Sequence, residues 1–170
     1  RNVQAMKTIL TSIIICVLFI MSLQAGVIPI GGEHGMIVGS GGHQSQPEVV
    51  IWSGGGLVAW ENSSSTGTKR IAVQALDGQG RGTGTVQVIS QNVDRVNDTD
   101  PMIAQVDETT AAVVWSSGRR GNSEIYLALV ASNGARLGEI QKVNQQTNGN
   151  QGQPAVGVSA DGTIMVVWES

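Results

Sequence analysis

Residues 101–144 read PMIAQVDETTAAVVWSSGRRGNSEIYLALVASNGARLGEIQKVN and predict four consecutive β-strands. Apolar and β-branched residues form four short runs with turn-forming residues between them, and the Asn133-Gly134 pair favours a tight hairpin before the last run. The predicted strands are 101–106, 110–116, 124–131 and 137–143. The second strand is apolar on every residue from 111 to 115, so both of its faces need cover. The stretch therefore predicts an antiparallel sheet packed between two neighbours.

The same pattern recurs with a period of about 54 residues. Three prolines are 54 and 53 residues apart, and three tryptophans are 55 and 53 residues apart. Asp77-Gly78 is interpreted as the counterpart of Asn133-Gly134. The repeated residues are Pro47, Pro101 and Pro154, and Trp60, Trp115 and Trp168. Four-stranded units of this length that are apolar on both faces are typical of β-propeller blades. We therefore expect an all-β fold of four-stranded antiparallel blades.

The repeat also predicts how the chain is divided. Blade 1 is assigned to residues 44–98, blade 2 to 99–151 and the start of blade 3 to 152–170. This makes about two and a third blades, whereas closed propellers have about four to eight. We expect the sequence to be the N-terminal part of a longer chain, whose later blades would pack against those present.

The three repeated tryptophans are interpreted as structural anchors. Apolar residues precede each of Trp60, Trp115 and Trp168, which favours packing between adjacent blades. The alternative is a surface on which the three rings stack against sugars.

The N-terminal residues predict export. Residues 6–25 combine Lys7, an apolar run from 9 to 23 and small residues at 25–26, which is the pattern of a secretory signal peptide, here expected as a signal helix. An uncleaved membrane anchor is the alternative, and we expect membrane contact only through this segment. Residues 1–5 are interpreted as an upstream artefact or fragment edge, and 26–43 as a Gly-rich leader. The expected location is secreted, periplasmic or cell-surface.

Composition excludes some partners. The net charge is −3, and the ten Lys and Arg residues are spread along the chain, so no nucleic-acid surface is expected. The only cysteine, Cys16, lies in the signal segment, so no disulfide framework is expected in the blades. Asn62 and Asn97 begin glycosylation sequons, which matter only in a eukaryotic host.

No catalytic, cofactor-binding or metal-binding set is predicted. Asp94, Asp98 and Asp100 could bind calcium, but they lack the Gly and Glu of a standard calcium loop, and a solvated loop is favoured. Glu61 and Glu169 follow equivalent tryptophans, and such a pair could serve glycoside hydrolysis only if the two carboxylates converged. We therefore predict no cofactor, with calcium as the alternative.

The unit resembles a family of repeats from secreted and surface-anchored microbial β-propeller proteins, often found in adhesin-like chains. In those repeats a proline precedes an Asp-Gly hairpin, a Val-Val-Trp strand, an Ile-Tyr strand, an Asn-Gly turn, a Gly and a Val-Asn pair. The matching residues in the middle unit are Pro101, 113–115, 125–126, 133–134, Gly138 and 143–144, and in the last unit Pro154, 161–162, 166–168 and Ser170. The resemblance covers residues 44–170 and implies the propeller fold without implying a ligand.

These observations favour a binding or scaffolding role over an enzymatic one. The main hypothesis is the N-terminal part of an exported β-propeller that binds a protein or glycan partner. A propeller-type glycosidase or polysaccharide lyase, with its catalytic residues in later blades, is one alternative. An immunoglobulin-like surface module is another, and it would place Trp60 and Trp115 in one continuous core.

Overall fold

A computed structural model describes residues 42–90, 96–119 and 121–170 of the chain. Every regular element in this part is a β-strand, and none is a helix that could span a membrane. The predictions of a signal helix at 6–25 and of an upstream segment at 1–5 lie outside the described residues, as does nearly all of the predicted leader at 26–43.

The strands form three consecutive antiparallel sheets, which confirms the predicted all-β fold. Two sheets have four strands in sequence order, and the third has two strands. The first sheet contains β1 (Gln44–Trp52), β2 (Gly55–Ser63), β3 (Lys69–Asp77) and β4 (Gly82–Val88). The second contains β5 (Asn97–Gln105), β6 (Thr110–Arg119), β7 (Asn122–Ala131) and β8 (Arg136–Lys142). The third contains β9 (Gly152–Val158) and β10 (Ile164–Glu169).

The strands of the second sheet lie close to their predicted positions, and the largest difference is at β5. This strand begins at Asn97, ahead of the predicted start at Pro101 and inside the range assigned to blade 1. Its first residues, 97–100, are polar and lack the apolar alternation of a strand. They pair with the end of β6, so tertiary pairing rather than propensity makes them a strand.

The main core lies between the first two sheets. Alternate residues of β2, including Leu57 and Ala59, face Val113 and Trp115 of β6 in one buried cluster. The intervening residue Val58 belongs to a separate cluster on the opposite face of the first sheet. The first strands of consecutive sheets lie side by side, β1 with β5 and β5 with β9. The first two sheets therefore stack face to face, and the first strands of all three sheets are adjacent.

A β-bulge, in which two residues lie opposite one, interrupts the first strand of each of the three sheets. In each case a residue with positive φ and the proline after it lie opposite the repeated tryptophan, where the register shifts. The bulged pairs are Gln46-Pro47, Asp100-Pro101 and Gln153-Pro154, with φ values of 54°, 54° and 47°. Proline lacks the N–H that a ladder needs and is found mainly at edges and bulges, so these edge strands accommodate it.

The hairpin turns correct one sequence correspondence. The N–H of Gly134 donates to Ala131 O, and the N–H of Gly80 donates to Asp77 O in the same arrangement. Gly80 and Gly134 also share a positive φ, at 75° and 87°. Gly80, rather than Gly78, is therefore the structural counterpart of Gly134, because a residue with positive φ is needed at that point of the turn.

In each four-stranded sheet, a buried side chain just after the last strand accepts a hydrogen bond from the main chain of the third strand. The N–H of Ile71 donates to Ser90 Oγ at 3.0 Å, and the N–H of Ile125 donates to Asn144 Oδ1 at 2.8 Å. Both contacts are buried, and the two isoleucines have no exposed surface. Ser90 and Asn144 thus satisfy main-chain donors that water cannot reach.

We predict that Asn144→Ala lowers the free energy of unfolding by about 1–3 kcal/mol, because the buried N–H of Ile125 would lose its acceptor. Asn144→Ser should recover part of this loss, since a serine has the same role in the first sheet. Urea denaturation measures the effect, with the exposed Asn148→Ala as the matched control. Equal stability of Asn144→Ala and Asn148→Ala would contradict the prediction.

Candidate functional site

The three repeated tryptophans occupy different surroundings. Trp115 is 1% exposed and lies in the core between the first two sheets, with its ring stacked near Tyr126 at a centroid distance of 6.3 Å. Trp60 is buried in the separate cluster on the other face of the first sheet. Trp168 is 36% exposed, and its Nε1 donates to Gln151 Oε1 at 2.9 Å. The three rings therefore do not form one sugar-stacking surface.

The same positions bear on the immunoglobulin-like alternative. Trp60 and Trp115 lie in different sheets and different clusters, not in one continuous core. The strands of each sheet also follow one another in sequence, whereas immunoglobulin-like domains place alternating parts of the chain in two sheets.

Glu61 is a structural residue in the described part of the chain. It is 2% exposed, and its carboxylate accepts hydrogen bonds from Ser45 Oγ at 2.9 Å, Lys69 Nζ at 2.6 Å and the N–H of Asp100 at 3.0 Å. Burial by itself would raise the pKa of Glu61, but these hydrogen bonds and the Lys69 charge together hold that pKa below its usual value. The ionised carboxylate ties β2 to β5.

The other candidate of that carboxylate pair is in a different environment. Glu169 is exposed, and its Oε2 accepts a hydrogen bond from Gln153 Nε2 at 3.4 Å. Because Glu61 is buried and hydrogen-bonded, Glu61 and Glu169 do not form a pair of carboxylates that could both act on a glycoside. Asp161 is also engaged, since hydrogen bonds from Ser159 and then Thr163 lower its pKa to about 2 within an exposed turn.

A polar cavity of about 710 Å³ lies where the first strands begin and the second strands end. The bulge residues Gln46, Asp100 and Gln153 line it, so equivalent positions of three consecutive sheets meet in one place. Its other lining residues include Asn97, Thr99, Arg119 and Glu169. Each of these side chains can donate or accept hydrogen bonds, and the described lining residues include no aromatic or large aliphatic side chain.

Hydrogen bonds between neighbouring sheets hold the wall of this cavity. Across the first junction, the N–H of Asp100 donates to Glu61 Oε1 at 3.0 Å, and within β5 Thr99 Oγ1 donates to Asp100 Oδ2 at 3.0 Å. At the next junction, Ser116 Oγ and Ser123 Oγ donate to the main-chain oxygen of Gln151 at 2.8 and 2.7 Å. The cavity is thus formed by strands that are tied to one another rather than by isolated loops.

The two candidate glycosylation residues have different roles. Asn97 is exposed and lines the cavity, and its Oδ1 accepts a hydrogen bond from the N–H of Lys69 at 3.0 Å. Asn62 is half-buried, and its Oδ1 accepts a hydrogen bond from Gln44 Nε2 at 3.4 Å.

The acidic residues considered for calcium are separated by environment. Asp98 is buried, Asp100 lines the cavity, and Asp94 lies outside the described residues. Within the described residues, no group of three or more Asp, Glu, His or Cys side chains could hold a metal ion.

Asp98 is a buried carboxylate between the first two sheets. Arg70 Nη1 lies 3.7 Å from its Oδ2, but neither carboxylate oxygen makes a hydrogen bond of ordinary geometry to a described residue. Burial raises the pKa of Asp98, and weaker polar contacts from Ser117 and Ser90 and the Arg70 charge oppose that rise without cancelling it. Tyr126 faces the same region, and its pKa is raised by burial, by Glu124 and by Asp98.

Comparison with known proteins adds one distant similarity. No protein-family model and no curated protein sequence matches the chain. It is similar to the crystal structure of a thermostable family-43 glycoside hydrolase, at 13% sequence identity and a TM-score of 0.34. The similar region covers 74% of this chain and 65% of the hydrolase chain, which is less than two thirds. A likeness at this level does not assign an activity.

We predict that Asp98→Asn changes how stability depends on pH. Because the folded-state pKa of Asp98 lies above its ordinary value, the wild type is most stable relative to the variant at low pH. That relative stability is lost as the pH rises through the folded-state pKa. Urea denaturation between pH 3 and pH 7 measures the difference between the two proteins.

Asp107→Asn is the control with the opposite sign. Asp107 is exposed, and hydrogen bonds from Thr109 lower its pKa. The free energy of unfolding of the wild type, relative to that of Asp107→Asn, should therefore increase as the pH rises. A difference between the wild type and Asp98→Asn that stays constant with pH would contradict the prediction for Asp98.

Proposed function

We propose that this chain is part of an exported β-propeller that binds a neutral oligosaccharide in the polar cavity. The observation that carries the proposal is the meeting of Gln46, Asp100 and Gln153, from equivalent positions of three consecutive sheets, in one polar cavity. Of the two predicted partner classes, protein and glycan, the cavity suits a glycan.

The arrangement of the sheets supports a propeller. The first two sheets stack face to face through apolar side chains, and the first strands of all three sheets lie next to one another. The blades of a propeller surround a central channel, and the adjacent first strands would line that channel, so the cavity would lie near the axis of the ring. Later blades would then add further walls to the same cavity.

The chemistry of the lining favours a polyhydroxylated ligand. Protein interfaces depend on buried aromatic and apolar anchors, and the described lining has none. Amides, hydroxyls and carboxylates instead match the alternating donors and acceptors of sugar hydroxyl groups. The volume of about 710 Å³ is within the range of about 300–1,000 Å³ that is common for small-molecule sites.

The charges of the lining favour a neutral ligand over an anionic one. Asp100 and Glu169 bring two carboxylates, and Arg119 brings one positive charge. An acidic sugar would meet repulsion from both carboxylates, whereas a neutral sugar could donate hydroxyl protons to them. The predicted signal segment would carry the chain to the cell exterior, where glycans are abundant.

Glycoside hydrolysis is the second candidate function, because Asp100 and Glu169 line the same cavity. A pair of carboxylates is the usual requirement of that reaction. This candidate replaces the Glu61–Glu169 pair with Asp100 and Glu169. The appearance of reducing ends during incubation with oligosaccharides separates hydrolysis from binding alone.

The test is calorimetric titration of the full chain with cellotriose, xylotriose, mannotriose and maltotriose. We expect at least one to bind, and Glu169→Gln should bind it about tenfold more weakly, which corresponds to about 1.4 kcal/mol. Glu108→Gln makes the same change at an exposed turn and should bind as the wild type does. The proposal would be contradicted if the wild type bound none of the four trisaccharides, or if Glu169→Gln and Glu108→Gln bound with equal affinity.

A further inference from the structure

The left-handed backbone positions of the chain fall into two groups. Among the described residues, ten positions with positive φ are glycines, and three are not. The three exceptions are Gln46, Asp100 and Gln153, which all precede a proline and all line the polar cavity. Non-glycine residues in this region of φ are strained, and such strain is concentrated at functional sites.

The bulge itself does not require these side chains. A bulge whose first residue is left-handed is usually built with glycine there, because glycine adopts that conformation without strain. Glycine fills the turns elsewhere, for example at Gly80 and Gly134. A chain selected only for the backbone of the bulge would place glycine at these three positions as well.

Local hydrogen bonding does not account for the exceptions either. Asp tolerates the left-handed region through its short polar side chain, and Asp100 accepts a hydrogen bond from Thr99. The longer Gln side chains lack that advantage. The side chain of Gln46 makes no hydrogen bond to a described residue, and that of Gln153 makes only a long one, 3.4 Å, to Glu169. Their donors and acceptors are therefore available in the cavity.

We propose that Gln46, Asp100 and Gln153 are the specificity-determining residues of the cavity, each held by its bulge so that one ligand contacts three consecutive units. This inference rests on the proposed oligosaccharide binding. The two amides would each offer a donor and an acceptor, and the carboxylate between them would accept from ligand hydroxyls and exclude acidic sugars. The fixed bulge supplies the position, and the identity of its first residue supplies the selectivity.

The first test replaces each residue with glycine, which removes the side chain and relieves the left-handed strain. With the trisaccharide that the wild type binds best, we expect Gln46→Gly, Asp100→Gly and Gln153→Gly each to bind about tenfold more weakly or worse. We expect their thermal midpoints to equal or exceed that of the wild type. Gln105→Gly, an exposed change on the same strand as Asp100, should retain affinity and lose a little stability.

The second test concerns selectivity. Asp100→Asn keeps the size of the side chain and tolerates the left-handed conformation, so the fold should be unaffected. The wild type and the variant are each titrated with trigalacturonate and with the best neutral trisaccharide. The ratio of the neutral-sugar affinity to the acidic-sugar affinity should be about tenfold smaller for the variant than for the wild type. An unchanged ratio would overturn the assignment of Asp100.

The remaining outcomes separate this inference from the proposed function. If the wild type binds a trisaccharide and all three glycine variants bind it within twofold, the cavity binds glycans through other residues and this inference alone is wrong. If the glycine variants lose affinity only together with a large fall in thermal midpoint, the three residues maintain the bulge and the inference is also wrong. If the wild type binds none of the trisaccharides, the proposed function and the inference fail together.

Discussion

The strand at the centre of each unit is apolar on both faces, and the rest of the structure depends on covering both of them. In β6, Ala112 and Val114 point away from Val113 and Trp115, and all four are buried. A single sheet cannot bury two faces, so each unit requires a neighbour on either side. Face-to-face stacking follows from this requirement, and it places equivalent residues of consecutive units at equivalent positions.

Stacking alone would leave the sheets free to slide, and polar contacts at the junctions fix their relative positions. The residues after Trp60 and Trp115 reach the next unit: Glu61 accepts from the N–H of Asp100 in β5, and Ser116 donates to the main-chain oxygen of Gln151, just before β9. Glu61 and Ser116 occupy the same place in the repeat, but their partners do not: Asp100 directly precedes its proline, whereas Gln151 lies three residues before Pro154. Because these contacts lie beside the bulges, the interactions that align the sheets also shape the cavity wall.

The repeat could be predicted from the sequence because its signals are local. Proline spacing, tryptophan spacing and apolar runs all report on single strands, and they located the strands of the second sheet. The roles of Glu61 and Asp100 could not be predicted, because they depend on which strands of different units lie together. The Gly78 correspondence was wrong because two glycines lie in that turn, and only φ identifies Gly80 as the left-handed one.

A signal for the cavity was nevertheless present in the sequence. Each repeated proline follows a residue with a hydrogen-bonding side chain, Gln46, Asp100 or Gln153, and the residue before a proline is restricted in conformation. In the middle unit the sequence predicts a strand that begins at Pro101, so Asp100 falls just outside it and the pattern gives the residue before the proline no special meaning. In the structure, each of these residues lies in a bulge opposite a repeated tryptophan, and the three residues line one cavity. Under the proposed function, the residue before each proline would determine what the assembled units recognise, while the apolar strands keep the core.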